Sequence, residues 1–273
     1  MKIDLQLHST ASDGELCPKE VMRECKKAGL KVVALTDHDT IAGVKEALSE
    51  AQDLGIKFIP GIEFNSDHLG LGVHILGLGI DPDNRVLSKA ISRIKLERVK
   101  RAEKIIKLLE ARGFKVDRSV LKNTGSITRP GIAGAVANRG MSVSEFVSRW
   151  IDEARPCFVE RRRLTSQEAI KIIHSAGGKA IWAHPGYTMR NYPLDLMEIA
   201  RQLVDLGLDG LEVFYSQHTK KQTREAFASA RILGLLISAG SDFHGFNHFC
   251  HEVGNFSTHG LKFETEKIIR VLS

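Results

Sequence analysis

Cysteine is scarce and unpatterned in this sequence. Cys17, Cys25, Cys157 and Cys250 are the only four in 273 residues, and no two form a CxxC pair. That argues against a disulfide framework or a thiolate zinc site and points to reduced, buried thiols in a cytosol. Apolar runs are short as well, none reaching the roughly 18–20 residues of a membrane-spanning helix. Met1-Lys2-Ile3-Asp4 leads straight into a strand pattern, so neither a signal peptide nor an anchor is expected, and the expected location is cytoplasmic. Internal repeats and low-complexity tracts are missing. So are helix-turn-helix, RNP and zinc-finger spacings, which argues against a sequence-specific nucleic-acid binder.

What is there is the balance of a globular protein with a substantial core, 42% hydrophobic and 26% charged. The net charge of +6 suits an anionic substrate. Two stretches carry much of it: Arg161-Arg162-Arg163, and the run from Arg93 to Lys107, which reads as a solvated helix face.

Short apolar runs alternate with amphipathic segments. "VVALTD" (32–37) follows the helical "PKEVMRECKKAGL", with Pro18 suited to a first turn and Gly29 to a C-cap. "KFIPGIEF" (57–64), "VHILGLGI" (73–80), "KAIWAHP" (179–185), "GLEVF" (210–214) and "LLISAGSDFHG" (235–245) are the further strands. "TEKIIRVL" is the final helix. This alternation predicts an α/β fold with a mostly parallel sheet, open or closed into a barrel. Residues 86–156 break the rhythm with one long helical pattern ending at Gly113 and a Ser-x-x-Glu capping box in "SVSEFVSRW". They read as a small helical insertion between barrel segments 1–85 and 157–273.

Nearly every strand ends in a histidine or a carboxylate. His8 and Asp13 follow the first strand, Asp37-His38-Asp39 the second, and Glu63 lies in the third. His74 lies in the fourth, His184 ends the fifth, and Asp242 and His244 end the last. Carboxyl ends of strands are where α/β folds build their sites. Each residue alone has a plain structural explanation: a hydrogen-bonded core histidine, a polar turn, a loop cap. Together they form a set that resists desolvation unless cations neutralise it. Nitrogen and oxygen ligands without cysteine suit Mn²⁺, Zn²⁺ or Fe²⁺, and several carboxylates imply more than one ion.

The segments "DLQLHSTASDGELCP", "GLKVVALTDHDTIAG", "FIPGIEFN", "AIWAHPG" and "ISAGSDFHG" resemble the successive motifs of the PHP (polymerase and histidinol phosphatase) superfamily. "SITRPGIA" and "ARPCFV" resemble its branch of 3′,5′-nucleoside bisphosphate phosphatases and 5′→3′ exoribonucleases. The resemblance implies a distorted (β/α)₇ barrel holding two or three divalent ions, with Mn²⁺ favoured and Zn²⁺, Fe²⁺ or Mg²⁺ as alternatives. One ion would be held by His8, Glu63 and Asp242, with Gln6 where the family has its first histidine. A second would be held by Asp13, His38 and His244, and a third by Glu63, His74 and His184, with Glu63 bridging. Asp37 and Asp39 would orient His38 or relay protons. Arg129 of the RP motif would hold substrate phosphate, with Gly131 where a histidine is usual. Arg161 and His218 are further phosphate contacts by position, and His184 or His218 would protonate the leaving group. The implied substrate is a small phosphorylated nucleotide or short oligonucleotide. The alternatives are a PHP phosphatase acting on another monoester, such as histidinol phosphate or a sugar phosphate, and a PHP module that has lost catalysis.

Overall fold

The computed structural model of the chain describes residues 2–122, 125–138, 140–192, 195–246 and 252–272. Strands β1 (Ile3–Asp4), β2 (Val32–Leu35) and β3 (Lys57–His68) run parallel, joined by α1 (Pro18–Lys27) and α2 (Val44–Asp53). Pro18 occupies the first turn of α1, where its missing N–H costs nothing. The chain then reverses. Strand β4 (Leu71–Leu78) pairs antiparallel with β3 across Leu69 and Gly70, which take φ of 54° and 87°. Two positive-φ residues between strands give the turn whose twist matches a hairpin.

Helices α3 (Arg85–Glu110), α4 (Arg129–Gly134) and α5 (Val143–Phe146) follow, the last continuing as a π-helical turn over Val147–Ile151. Ser142 caps α5, accepting a hydrogen bond from Glu145 N–H at 3.2 Å. A two-residue strand, β5 (Leu164–Thr165), joins the far end of β3 in parallel. Helix α6 (Ser166–Ser175) leads to β6 (Lys179–Trp182). Then come α7 (Pro185–Thr188), α8 (Leu196–Asp205), β7 (Gly210–Tyr215), α9 (Lys220–Ile232), β8 (Leu236–Gly240) and α10 (Thr265–Val271).

The strand order β1-β2-β3-β4-β6-β7-β8 makes a seven-stranded path with β5 attached to β3. Its two ends meet. Leu5 N–H donates to Ala239 O at 3.0 Å, Asp242 N–H to Gln6 O at 3.0 Å, and His8 N–H to Phe243 O at 2.9 Å. The sheet is thus a nearly closed barrel, as the (β/α)₇ expectation requires. It departs from a parallel sheet only at β4, which is antiparallel to both β3 and β6.

Ile3, Ala34, Ile59, Leu76 and Ile181, from five different strands, meet in one buried cluster closed by Ile268 and Ile269 of α10. Separate clusters lie between the strands and their helices. Helix α3 straddles two of these regions. Leu87 and Ile94 pack into the main barrel cluster, whereas Ala102, Ile105, Ile106 and Leu109 pack with Ile132, Phe146 and Ile151 in a cluster of their own. Cys25 and Cys157 are buried, Cys17 is half-buried, and none is in a disulfide; Cys250 lies outside the described residues.

Candidate metal centre

The reversal of β4 decides where His74 stands. Because β4 runs against its neighbours, its early residues lie level with the carboxyl ends of the parallel strands. His74 is registered opposite Asn65, two residues past Glu63. On the other side of β3, the chain beyond β2 stays paired, with His38 bridging Glu63, Glu63 N–H donating to Asp37 O and Asp39 N–H donating to Glu63 O. Glu63 therefore has a histidine on each flank.

The structure gathers seven of the expected ligands around that carboxylate. Glu63 Oε1 lies 2.8 Å from His74 Nδ1 and 3.2 Å from His184 Nε2. Its Oε2 lies 3.1 Å from His8 Nε2 and 3.2 Å from His38 Nδ1. His8 Nε2 is also 3.1 Å from Asp242 Oδ1, and His244 Nε2 is 3.6 Å from Asp13 Oδ1. Three groups have ligand atoms mutually within 4.8 Å: His8, Asp13, His38 and His244; His38, Glu63 and His74; and His8, Glu63 and Asp242. The first adds His8 to the expected second set. The second has His38 where the expected third set had His184.

These contacts are close without being satisfied. His8 Nε2, Glu63 Oε2 and Asp13 Oδ1 are buried and make no hydrogen bond, and His184 Nδ1 is buried without a partner too. Imidazole nitrogens and carboxylate oxygens that converge within about 3 Å are what shared cations require, and buried polar atoms otherwise find partners. The donor set of imidazoles and carboxylates fits divalent ions that accept mixed nitrogen and oxygen ligands.

Electrostatics in the cluster follow from this crowding. Burial works against charge on His8, but Asp242 and Glu63 outweigh it and raise its pKa well above the usual imidazole range. Burial lowers His38 to about 4. Burial pushes Glu63 up, yet His38 and His74 overcome it and hold the carboxyl far below its ordinary value.

Other expected residues sit elsewhere. Gln6 is fully buried, and its Nε2 donates to Glu63 Oε1 at 3.3 Å while its Oε1 has no partner. Asp37 does not face the cluster's histidines through its carboxylate. It accepts from Ser9 N–H (2.8 Å), Ser9 Oγ (2.7 Å) and Ser12 Oγ (2.6 Å), pinning the turn that carries Asp13. Gly14 in that turn is irreplaceable on space alone, since a Cβ would lie 2.7 Å from His8 O. His218, expected as an acid or phosphate contact, is engaged by backbone groups. Its Nδ1 faces Val213 O at 3.0 Å and its Nε2 accepts from Gly186 N–H at 3.0 Å, so both nitrogens are engaged, and burial lowers its pKa to about 4. What it holds is the backbone beside His184. That residue has φ of 34°, a left-handed conformation rare outside glycine, and its N–H donates to Glu212 Oε2 at 2.8 Å. Asp39 and Asp242 are also left-handed, so three residues of the centre share backbone strain.

Beside the cluster lies a cavity of about 610 Å³ walled by Arg98, Arg101, Arg129 and Arg161, with Asp13, His38 and His74 on its floor. Asp39 links the two regions. Its Oδ2 accepts from Arg98 Nε (2.9 Å) and Nη2 and from Arg161 Nη2 (3.1 Å). Arg129 pairs with Asp152 at 2.6 Å and remains one-third exposed. Gly131 directs no side chain here; its N–H caps onto Thr128 Oγ1. Arg101 donates Nε to Val159 O and has no carboxylate within ion-pairing distance among the described residues. Burial and then Arg129, Arg161 and Arg98 depress its pKa to about 9. A half-buried guanidinium among other arginines and without a carboxylate partner is suited to receive an anion.

The sequence itself carries the decisive comparison: residues 4–176 match the model of the PHP domain. The chain belongs to the PHP family. Among PHP relatives, a 5′-3′ exoribonuclease of Haemophilus influenzae is 35% identical over 254 residues, covering 89% of this chain and 90% of that one. A 3′,5′-nucleoside bisphosphate phosphatase of Chromobacterium violaceum is 32% identical over 262 residues, covering 93% and 90%. The crystal structure of a protein from Bifidobacterium adolescentis described as a metal-dependent phosphoesterase superposes with a TM-score of 0.88. It is 27% identical and covers 99% of this chain and 95% of its own. No described helix is long and apolar enough to cross a membrane.

Proposed function

We propose that this PHP-type phosphoester hydrolase removes the 3′-phosphate of a nucleoside 3′,5′-bisphosphate, or acts on a short 5′-phosphorylated oligonucleotide. The observation that carries the reading is the juxtaposition of two unlike regions able to serve phosphate, one through divalent ions it would hold and one through guanidinium groups. One is the imidazole–carboxylate cluster around Glu63, and the other is the arginine-walled cavity that shares Asp13, His38 and His74 with it. A substrate with one phosphate needs only the first region. A substrate with two, set a ribose apart, uses both. The names of the Chromobacterium and Haemophilus relatives fit such substrates.

His8, Glu63 and Asp242, then Asp13, His38 and His244, and finally His74 and His184 with Glu63, would hold two or three divalent ions, Mn²⁺ preferred. Such ions, when bound, supply a water acidified towards neutral pH and charge to offset that on the phosphoryl oxygens. The remaining work belongs to the chain. Asp37 holds the Ser9–Ser12 turn, and with it Asp13, in place. Arg129 and Arg101 offer guanidinium donors to the non-reacting phosphate, where a planar fork can bind two oxygens at once. His184 would protonate the leaving group in this reading.

The test is phosphate release with Mn²⁺ from adenosine 3′,5′-bisphosphate, adenosine 5′-monophosphate, histidinol phosphate and a sugar monophosphate. The reading expects the bisphosphate to exceed each monoester at least tenfold in kcat/KM. Equal or greater turnover of a monoester would replace it with the general phosphatase reading, and absence of bound metal would replace it with a non-catalytic module.

A further inference from the structure

The cluster has a second neighbour, which shares Asp13, His38 and His74 with the arginine cavity. A cleft of about 220 Å³ is lined by His74, His184 and Asp242 and, opposite them, by Tyr187 and Tyr215. Tyr187 is 44% exposed, although it sits only three residues beyond His184 on α7. Its ring meets His184 edge-on at 5.9 Å and Tyr215 at 6.4 Å, and the guanidinium of Arg190 lies 4.8 Å from its centroid. Tyr215 is buried, and its hydroxyl reaches Asp242 Oδ2 at 3.1 Å.

A lone exposed tyrosine on a protein surface needs no explanation. This one differs in two respects. It forms part of the wall of the cleft that contains the candidate ligands, and its backbone is held rigidly. Pro185 starts α7, Gly186 N–H is bound by His218, and Gly186 O accepts from Gln222 Nε2 at 2.5 Å. An aromatic ring carried on a held backbone beside a phosphate site suits a leaving group that bears a flat nucleobase, because stacking then costs less ordering.

We infer that Tyr187, backed by Tyr215, is the stacking surface for the nucleobase of the substrate. The assignment rests on the nucleotide reading above and deepens it. With the reacting phosphate at the Glu63 cluster, the ribose lies above it, its second phosphate turns to the arginine cavity, and its base turns to the tyrosines. A sugar phosphate without a base leaves the aromatic wall unused.

The test compares adenosine 3′,5′-bisphosphate with an abasic methyl riboside 3,5-bisphosphate, using the Mn²⁺-loaded wild type, Tyr187→Ala and Tyr187→Phe. Stacking on a single aromatic ring corresponds to about a tenfold effect or more on affinity. The wild type should therefore favour the base-carrying compound by about tenfold, mainly through KM. Tyr187→Ala should erase that preference and leave the abasic substrate within twofold, while Tyr187→Phe retains it. Equal losses on both compounds, or a loss with phenylalanine, would overturn the stacking role and leave the nucleotide reading standing. If wild type hydrolyses both bisphosphates equally well, stacking is again excluded without touching that reading. If it hydrolyses neither while turning over another monoester, both fall together.

Discussion

Gln6 Nε2 lies 3.3 Å from Glu63 Oε1, so the amide that stands where the PHP family has a histidine is turned by its nitrogen towards the central carboxylate. Its oxygen is buried and unpartnered. In this orientation Gln6 steadies Glu63 as a donor. A half-turn of the amide would present the oxygen as a weak, neutral ligand, and oxygen and nitrogen exchange places at no cost in shape. Either way the site is poorer by one imidazole.

Gln6→His is therefore expected to tighten metal binding about tenfold or more, on the scale of effects seen when a group supporting a metal ligand is changed. It should also lower the Mn²⁺ concentration giving half-maximal rate. Both are read from metal retention after dialysis and from activity titrated against Mn²⁺. An unchanged metal content would show that Gln6 contributes only its hydrogen bond to Glu63.

Arg129→Ala and Arg101→Ala should each weaken turnover of a 3′,5′-bisphosphate far more than that of a simple aryl phosphate. A charge-assisted contact contributes ~1.5–3 kcal/mol, so a selective loss of roughly ten- to hundredfold in kcat/KM is expected. Because Arg101 is half-buried with no carboxylate partner among the described residues, its removal should leave the melting temperature unchanged or raise it. Equal losses on both substrates would place these arginines at the reacting phosphate or in the scaffold.

The barrel's far end gives a pH test independent of the centre. Burial pushes Asp209 up, but Ala180 N–H, His174 and Lys179 outweigh it and hold its carboxyl below the ordinary aspartate range. A carboxyl depressed on folding adds stability above its unfolded pKa, and that stability is lost as pH falls through the folded one. Asp209 is partly exposed, so the contribution lies in the ~0.2–1 kcal/mol range of solvent-screened ion pairs. Denaturant unfolding between pH 7 and 3 should show Asp209→Asn less stable at pH 7, with the difference from wild type shrinking towards pH 3. A constant difference would mean that packing, not charge, is what the residue provides.

The polar strand ends were legible in the sequence because barrels place chemistry there, and His8, His38, Glu63 and Asp242 do converge. The reversal of β4 was not, since an apolar run has the same pattern in either direction. The Leu69-Gly70 pair between two apolar runs was the available signal. Arg98 and Arg101 were lost in a charge run read as a solvated face. Their spacing from Ile94, Ala102 and Ile105 puts them on the buried stripe of α3, where Arg98 is only 5% exposed. The roles of Asp37 and His218 depend on partners such as Ser9 and Gly186, 28 and 32 positions away. No local spacing encodes those.

The central claim is that Glu63 unites the ion-binding groups on which hydrolysis depends. The measurement that bears on it most directly is phosphate release from adenosine 3′,5′-bisphosphate by wild type and Glu63→Gln, each stripped with chelator and then resupplied with Mn²⁺. The wild type should fall silent with chelator and recover with metal. Glu63→Gln should stay more than tenfold below it at saturating Mn²⁺, a barrier difference above ~1.4 kcal/mol. Activity of Glu63→Gln above about a tenth of wild type, or wild-type turnover that survives the chelator, would contradict the account.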